Sequence, residues 1–155
     1  MSCDPKYEPF LLRPAGKDYL WGGERLKEKY NKDIDLSPLA ETWECSTYPD
    51  GESIVASGAN RGKTLTQVLR ENPDWLGTHP KSEDGIPILV KFIDAKQDLS
   101  VQVHPDDEYA QKNENQLGKT EMWYVIEAEP EAKLVYGFKH DVTEEKLREY
   151  IEKET

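Results

Sequence analysis

Between Leu39 and Ser46 the chain alternates with period two. Leu39, Glu41, Trp43 and Cys45 fall on one face and Ala40, Thr42, Glu44 and Ser46 on the other, which predicts a strand with mixed faces. A second short strand is predicted over 52–58, entered through a turn at Pro49, Asp50 and Gly51. From Thr64 the spacing becomes helical: Leu65, Val68 and Leu69 recur on one side, Thr64 and Gln67 stand in capping-box relation, and Asn72 with Pro73 closes the helix. After a polar link over 78–85 the run 86–95 is almost wholly apolar around Lys91, the pattern of a strand buried on both faces. Further strands are predicted over 99–105, 118–128 and 132–138, the last two joined by a turn at Glu129 and Pro130, with a short helix over 106–116. Asp141 and Glu144 form a second capping-box pair ahead of a stripe of Leu147, Tyr150 and Ile151. At the other end, Pro5, Pro9 and Pro14 predict an extended strap to Tyr19, followed by Gly22, Gly23 and a short polar helix.

Composition narrows the possibilities. A chain of 155 residues accommodates one ordinary domain, taken here as residues 1–155. Its net charge of -11 makes nucleic acid and anionic membrane surfaces poor partners, while leaving room for one small basic pocket. No apolar run approaches membrane-spanning length, and the start MSCDPKYEP lacks the basic and hydrophobic stretches of a signal peptide, so a cytoplasmic protein is expected. Cys3 and Cys45 form no CxxC motif and are expected to be plain reduced thiols. The last helical pattern runs to the end of the chain, and the parent architecture is expected to continue past Thr155.

The stretch LSVQVHP carries the candidate chemistry. Strand alternation sends Ser100, Gln102 and His104 to one face and Val101 and Val103 to the other. That polar face fits either a solvated outer sheet surface or a ligand site. On the later strand Lys119 and Glu121 share a face with Trp123 and Val125. A Gln and a His on one strand with a Glu on its neighbour offer an amide oxygen, an imidazole nitrogen and a carboxylate to one divalent ion, with zinc the natural occupant. A catalytic zinc site would be expected to use a second His, but His79 and His140 lie in loop and turn contexts and read as surface residues.

The segments PILVKFIDAKQDLSVQVHPDDEYA and GKTEMWYVI, with WGG at Trp21 and AETWECS from Ala40, resemble type I mannose-6-phosphate isomerases of the cupin superfamily. The resemblance covers nearly the whole chain and matches the amino-terminal portion of the family. It implies a mainly β fold, a cupin-type jelly-roll β-sandwich with appended helices, incomplete at the C-terminus. It implies that Gln102, His104 and Glu121 bind Zn2+, and that Lys91 and Lys119 line a sugar-phosphate pocket as catalytic residues. A further metal-binding His and a pocket Arg are implied to come from a segment past Thr155.

The activity so implied is interconversion of mannose 6-phosphate and fructose 6-phosphate, a proton shift between the first and second sugar carbons that needs no redox cofactor. A non-catalytic cupin module, or an inactive fragment binding metal or sugar phosphate, is the alternative. Lys91 also fits a strand lysine paired with a carboxylate, and Lys119 the exposed start of its strand. Trp21, Trp43 and Trp123 are expected to serve packing rather than sugar stacking. Glu41 and Glu44 are expected to support a sheet edge or face solvent, and the acidic run after His104 to start a helix.

Overall fold

The structure, a computed structural model, describes residues 8–78 and 85–153. The chain divides into two compact units, one up to Leu99 and one from Ser100.

In the first unit the proline-rich strap becomes two short strands, β1 (Leu12–Arg13) and β2 (Ala15–Lys17). Pro14 lies between them and has no N–H to give to a ladder, so the strap changes sheets at that residue. β1 pairs antiparallel with β4 (Ile54–Val55), and β2 pairs antiparallel with β3 (Glu41–Cys45). β3 is the middle strand of a three-stranded sheet whose other edge is β5 (Val90–Ile93), with Trp43 opposite Lys91 and Glu41 opposite Ile93. The core gathers Leu39, Ala40, Val55 and Val68, each 0–1% exposed, with Leu26, Leu65 and Leu69 around them.

Local chemistry accounts for the helices. α1 (Arg25–Glu28) follows a glycine pair at which the backbone has no space for side chains. A Cβ on Gly22 would lie 2.5 Å from the Ala40 Cβ, and one on Gly23 would lie 2.3 Å from the Asp94 carboxylate, which itself accepts from the Arg25 N–H at 2.8 Å. α2 (Leu65–Glu71) carries the expected capping box: Thr64 Oγ1 accepts from the Gln67 N–H at 3.1 Å and Gln67 Oε1 from the Thr64 N–H at 2.9 Å. Its apolar side buries Leu65, Val68 and Leu69.

The expectation that the strand around Lys91 is buried on both faces is not met. β5 is an edge strand, Val90 is 45% exposed, and Lys91, Phe92 and Ile93 are half-buried. An apolar run reports burial somewhere, whereas its two-sidedness depends on what pairs with it, and among the described residues only β3 does. The polar link, including His79, lies largely outside the described residues, as does Cys3.

In the second unit α3 (Asp107–Glu114) is capped by Asp106, whose Oδ1 accepts from the Tyr109 N–H at 2.8 Å, and it ends at Asn115 in the left-handed region with φ 53°. α4 (Glu144–Lys153) is capped by Thr143 rather than by Asp141: Thr143 Oγ1 accepts from the Lys146 N–H at 3.3 Å. The turn after Glu129 forms, with the Ala132 N–H donating to the Glu129 carbonyl at 3.1 Å. The three strands expected over 99–105, 118–128 and 132–138 do not. Among the described residues these segments carry no ladder, and Val103, Met122 and Tyr136 are 92%, 88% and 93% exposed. Alternation allots side chains to faces, but a strand exists only where a neighbour takes its N–H and C=O groups.

Candidate active site

The second unit brings His104, Lys119 and Glu121 together, and Gly118 is what lets it. The Gly118 N–H donates to Asp107 Oδ1 at 3.0 Å, and the Lys119 N–H donates to the Pro105 carbonyl at 3.1 Å. A Cβ on Gly118 would fall 2.4 Å from the Asp106 carbonyl carbon and 2.5 Å from the Asp107 nitrogen. With no side chain there, the segment lies against the start of α3 and returns Lys119 and Glu121 to the neighbourhood of His104. His104 Nε2 is 3.0 Å from Glu121 Oε2, and Lys119 Nζ is 3.3 Å from Glu121 Oε1, so each carboxylate oxygen meets a different basic group.

Burial pushes the Glu121 carboxyl up. Hydrogen bonding from Trp123, the charge and hydrogen bond of Lys119 and the hydrogen bond from His104 together outweigh it and hold the group below the usual carboxylate value. The Gln102 amide donates to Ser100 Oγ at 3.0 Å. Among the described residues no three His, Cys, Asp or Glu side chains are grouped to hold a metal ion.

In the first unit Lys91 takes the structural option that its strand position allowed. Its Nζ is 3.1 Å from Glu41 Oε2 and 5.0 Å from the centre of the Trp43 ring. The Trp43 Nε1–H donates to the same Glu41 oxygen at 2.7 Å, and Lys17 Nζ stands 4.3 Å from the same ring. Glu41 is only 6% exposed, so it neither supports a sheet edge nor faces solvent. It lies on the middle strand of its sheet, where the Trp43 N–H and Lys91 engage its carboxylate. The Tyr19 phenol is pushed up by burial and then by the negative charge of Glu41. The sequence allowed for a carboxylate partner to Lys91 without naming it; the usable signal was Glu41 and Trp43 two apart on one strand, and the missing information was the register that sets Lys91 opposite Trp43.

Trp43 packs in the core at 8% exposure, Trp21 stacks on Tyr19 with centroids 5.5 Å apart, and Trp123 remains 44% exposed. Cys45 is a free thiol, pushed up by burial. Among the described residues no helix is long and apolar enough to cross a membrane.

A family model described as the catalytic domain of type I phosphomannose isomerase matches residues 10–140. The chain belongs to the type I phosphomannose isomerase family. It is 43% identical to the probable mannose-6-phosphate isomerase GmuF of Bacillus subtilis over 93% of its own length and 45% of that protein, and 39% identical to a mannose-6-phosphate isomerase of Streptococcus mutans over the same shares. It thus spans just under half the length of these curated relatives. The crystal structure of the mannose 6-phosphate isomerase from Bacillus subtilis superposes with a TM-score of 0.65 at 39% identity, covering 71% of this chain and 35% of that one. The fold class is that of this phosphomannose isomerase family, a cupin-type, mainly β fold with appended helices, of which the chain holds a part.

Proposed function

We propose that the chain supplies the amino-terminal part of a cytoplasmic isomerase site for mannose 6-phosphate and fructose 6-phosphate, with Gln102, His104 and Glu121 as ligands of a zinc ion. The observation that carries this reading is the 3.0 Å approach of His104 to Glu121 beside Lys119. The donor chemistry fits: an imidazole nitrogen and an ionised carboxylate oxygen are within reach of one ion, and the Gln102 amide oxygen is the neutral third donor. When bound, zinc would supply Lewis-acid stabilisation to the sugar oxygens as charge develops on them.

The remaining work falls to the chain's own side chains. Lys119 places positive charge next to the carboxylate that holds the ion, and favours the ionised form of that ligand. Lys119 is the cation assigned to the substrate, steadying negative charge on the sugar as its proton moves between the first and second carbons, whereas Lys91 is engaged by Glu41 in its own unit. The family match runs across the Leu99–Ser100 division, which supports treating residues 1–155 as parts of one catalytic domain rather than two functions.

Zinc stoichiometry and mannose 6-phosphate turnover, measured on purified Met1–Thr155 beside the full-length Bacillus subtilis relative, test the proposal. The expected result is zinc binding weaker than the relative's, lost on His104→Ala, with little turnover by the isolated chain. Zinc uptake that ignores His104→Ala overturns the ligand assignment. The same chain holding zinc but never processing substrate, even when lengthened to match its relatives, would favour a binding module instead.

A further inference from the structure

In a chain with 31 acidic and 20 basic residues, basic side chains readily find carboxylates. Lys32 meets Glu44 at 2.8 Å, Lys63 meets Glu71 at 2.5 Å and Arg148 meets Glu144 at 2.6 Å. Others, such as Lys96, Lys112 and Lys133, pair with no carboxylate among the described residues, and the same holds for Arg13 and Arg61; what sets these two apart is that both line one concavity of about 230 Å³ with Ile54, Val55, Ala56 and Gly62.

The backbone explains why they share it. Arg13 of β1 stands in register with Ile54 of β4. On the other side of β4 the chain turns through Gly58 and Gly62, with φ 72° and 92°, and returns so that the Gly62 N–H donates to the Val55 carbonyl at 2.8 Å and the Val55 N–H to the Lys63 carbonyl at 2.9 Å. β4 therefore runs between the backbone carrying Arg13 and the backbone beside Arg61. Arg13 and Arg61 thus reach the concavity from opposite sides of β4. Val55 is 1% exposed and belongs to the core, so the strand beneath the concavity is firmly anchored.

We propose that this concavity binds a small anion of the phosphate class, either inorganic phosphate or the phosphoryl group of a phosphomonoester, between the guanidinium groups of Arg13 and Arg61. Guanidinium forks match phosphate oxygens in charge and geometry. The concavity falls below the ~300–1,000 Å³ of pockets that enclose drug-sized ligands, so it takes a phosphate headgroup rather than a whole nucleotide. Its residues are other than Gln102, His104, Lys119 and Glu121, so this site stands or fails independently of the isomerase reading.

The test is a titration of ¹⁵N-labelled Met1–Thr155 with inorganic phosphate at low ionic strength, following the Ala56 and Gly62 amide resonances, with a parallel titration by mannose 6-phosphate and a sodium chloride control. A saturable shift at both amides is expected. It should weaken about tenfold in Arg13→Gln and in Arg61→Gln, the loss of roughly one charge-assisted contact in each, and disappear in the double variant. Both arginines are exposed, and unchanged dispersion of the remaining resonances reports that the variants are folded. Shifts by the ester as well as by phosphate assign the phosphoryl group as ligand, and shifts by inorganic phosphate alone assign the free anion. No saturable shift at Ala56 and Gly62, persistence of the shift in the double variant, or its reproduction by sodium chloride overturns the proposal.

Discussion

His104 and Glu121, 17 positions apart in the chain, meet through Nε2 and Oε2 at 3.0 Å. A hydrogen-bonded imidazole and carboxylate with a lysine on the second carboxylate oxygen form a small charged group that a divalent cation can enter by replacing the imidazole–carboxylate hydrogen bond with two coordinate bonds. Zinc affinity, read by competition with a chromophoric chelator, is expected to fall by more than about 100-fold in His104→Ala and in Glu121→Gln, since even supporting residues around a metal are worth ~10–100-fold. Gln102→Ala, which removes a neutral donor, should cost less. Equal affinity in all three variants would sink the assignment.

Lys119 is expected to separate metal binding from catalysis. In a chain lengthened to the size of its relatives, Lys119→Met should lower kcat/KM by about 100-fold or more, the loss of a charge acting on the transition state, while zinc content changes little. Parallel loss of zinc and turnover would make the lysine a support for Glu121 instead.

Lys91→Met should leave the Glu41 carboxylate with the Trp43 N–H but without its cation in a nearly buried position. A loss of about 1–3 kcal/mol in urea unfolding at pH 7 is expected. The double variant Glu41→Gln/Lys91→Met, which removes both charges, should recover part of it. If Lys91→Met is neutral, the pair contributes nothing to stability and its position is open to a role toward substrate alone.

Cys45 offers a pH test. Burial raises its thiol above the ordinary value, so the folded state favours the neutral form. The resulting stability is intact below the unfolded value of about 8.5 and is lost as the pH rises from there through the folded value. In a Cys3→Ser background, alkylation at pH 8 should be slow in the native chain and fast in urea. Native alkylation as fast as that in urea would contradict the burial seen for Cys45.

Some of the chain could be read residue by residue. The capping box of Thr64 and Gln67, the alternation that makes β3, the acidic start of α3 and the glycine pair before α1 all act within a few positions, and each was legible as sequence. A helix satisfies its own hydrogen bonds within four residues, so its signals are local. Strands answer to neighbours: the apolar run around Lys91 became an edge strand, and the alternating segments after Leu99 formed no ladder among the described residues. The residue types of the candidate site were likewise visible as LSVQVHP and KTEMWY, but the meeting of His104 with Glu121 required the side-chain-free approach of Gly118 to the start of α3. The burial of Glu41 beneath Lys91 and the shared concavity of Arg13 and Arg61 were invisible in the same way, because each depends on which strands lie side by side. Residue chemistry and short-range periodicity belong to the sequence; cross-strand register and the closeness of distant charges arise only when non-local backbone groups pair.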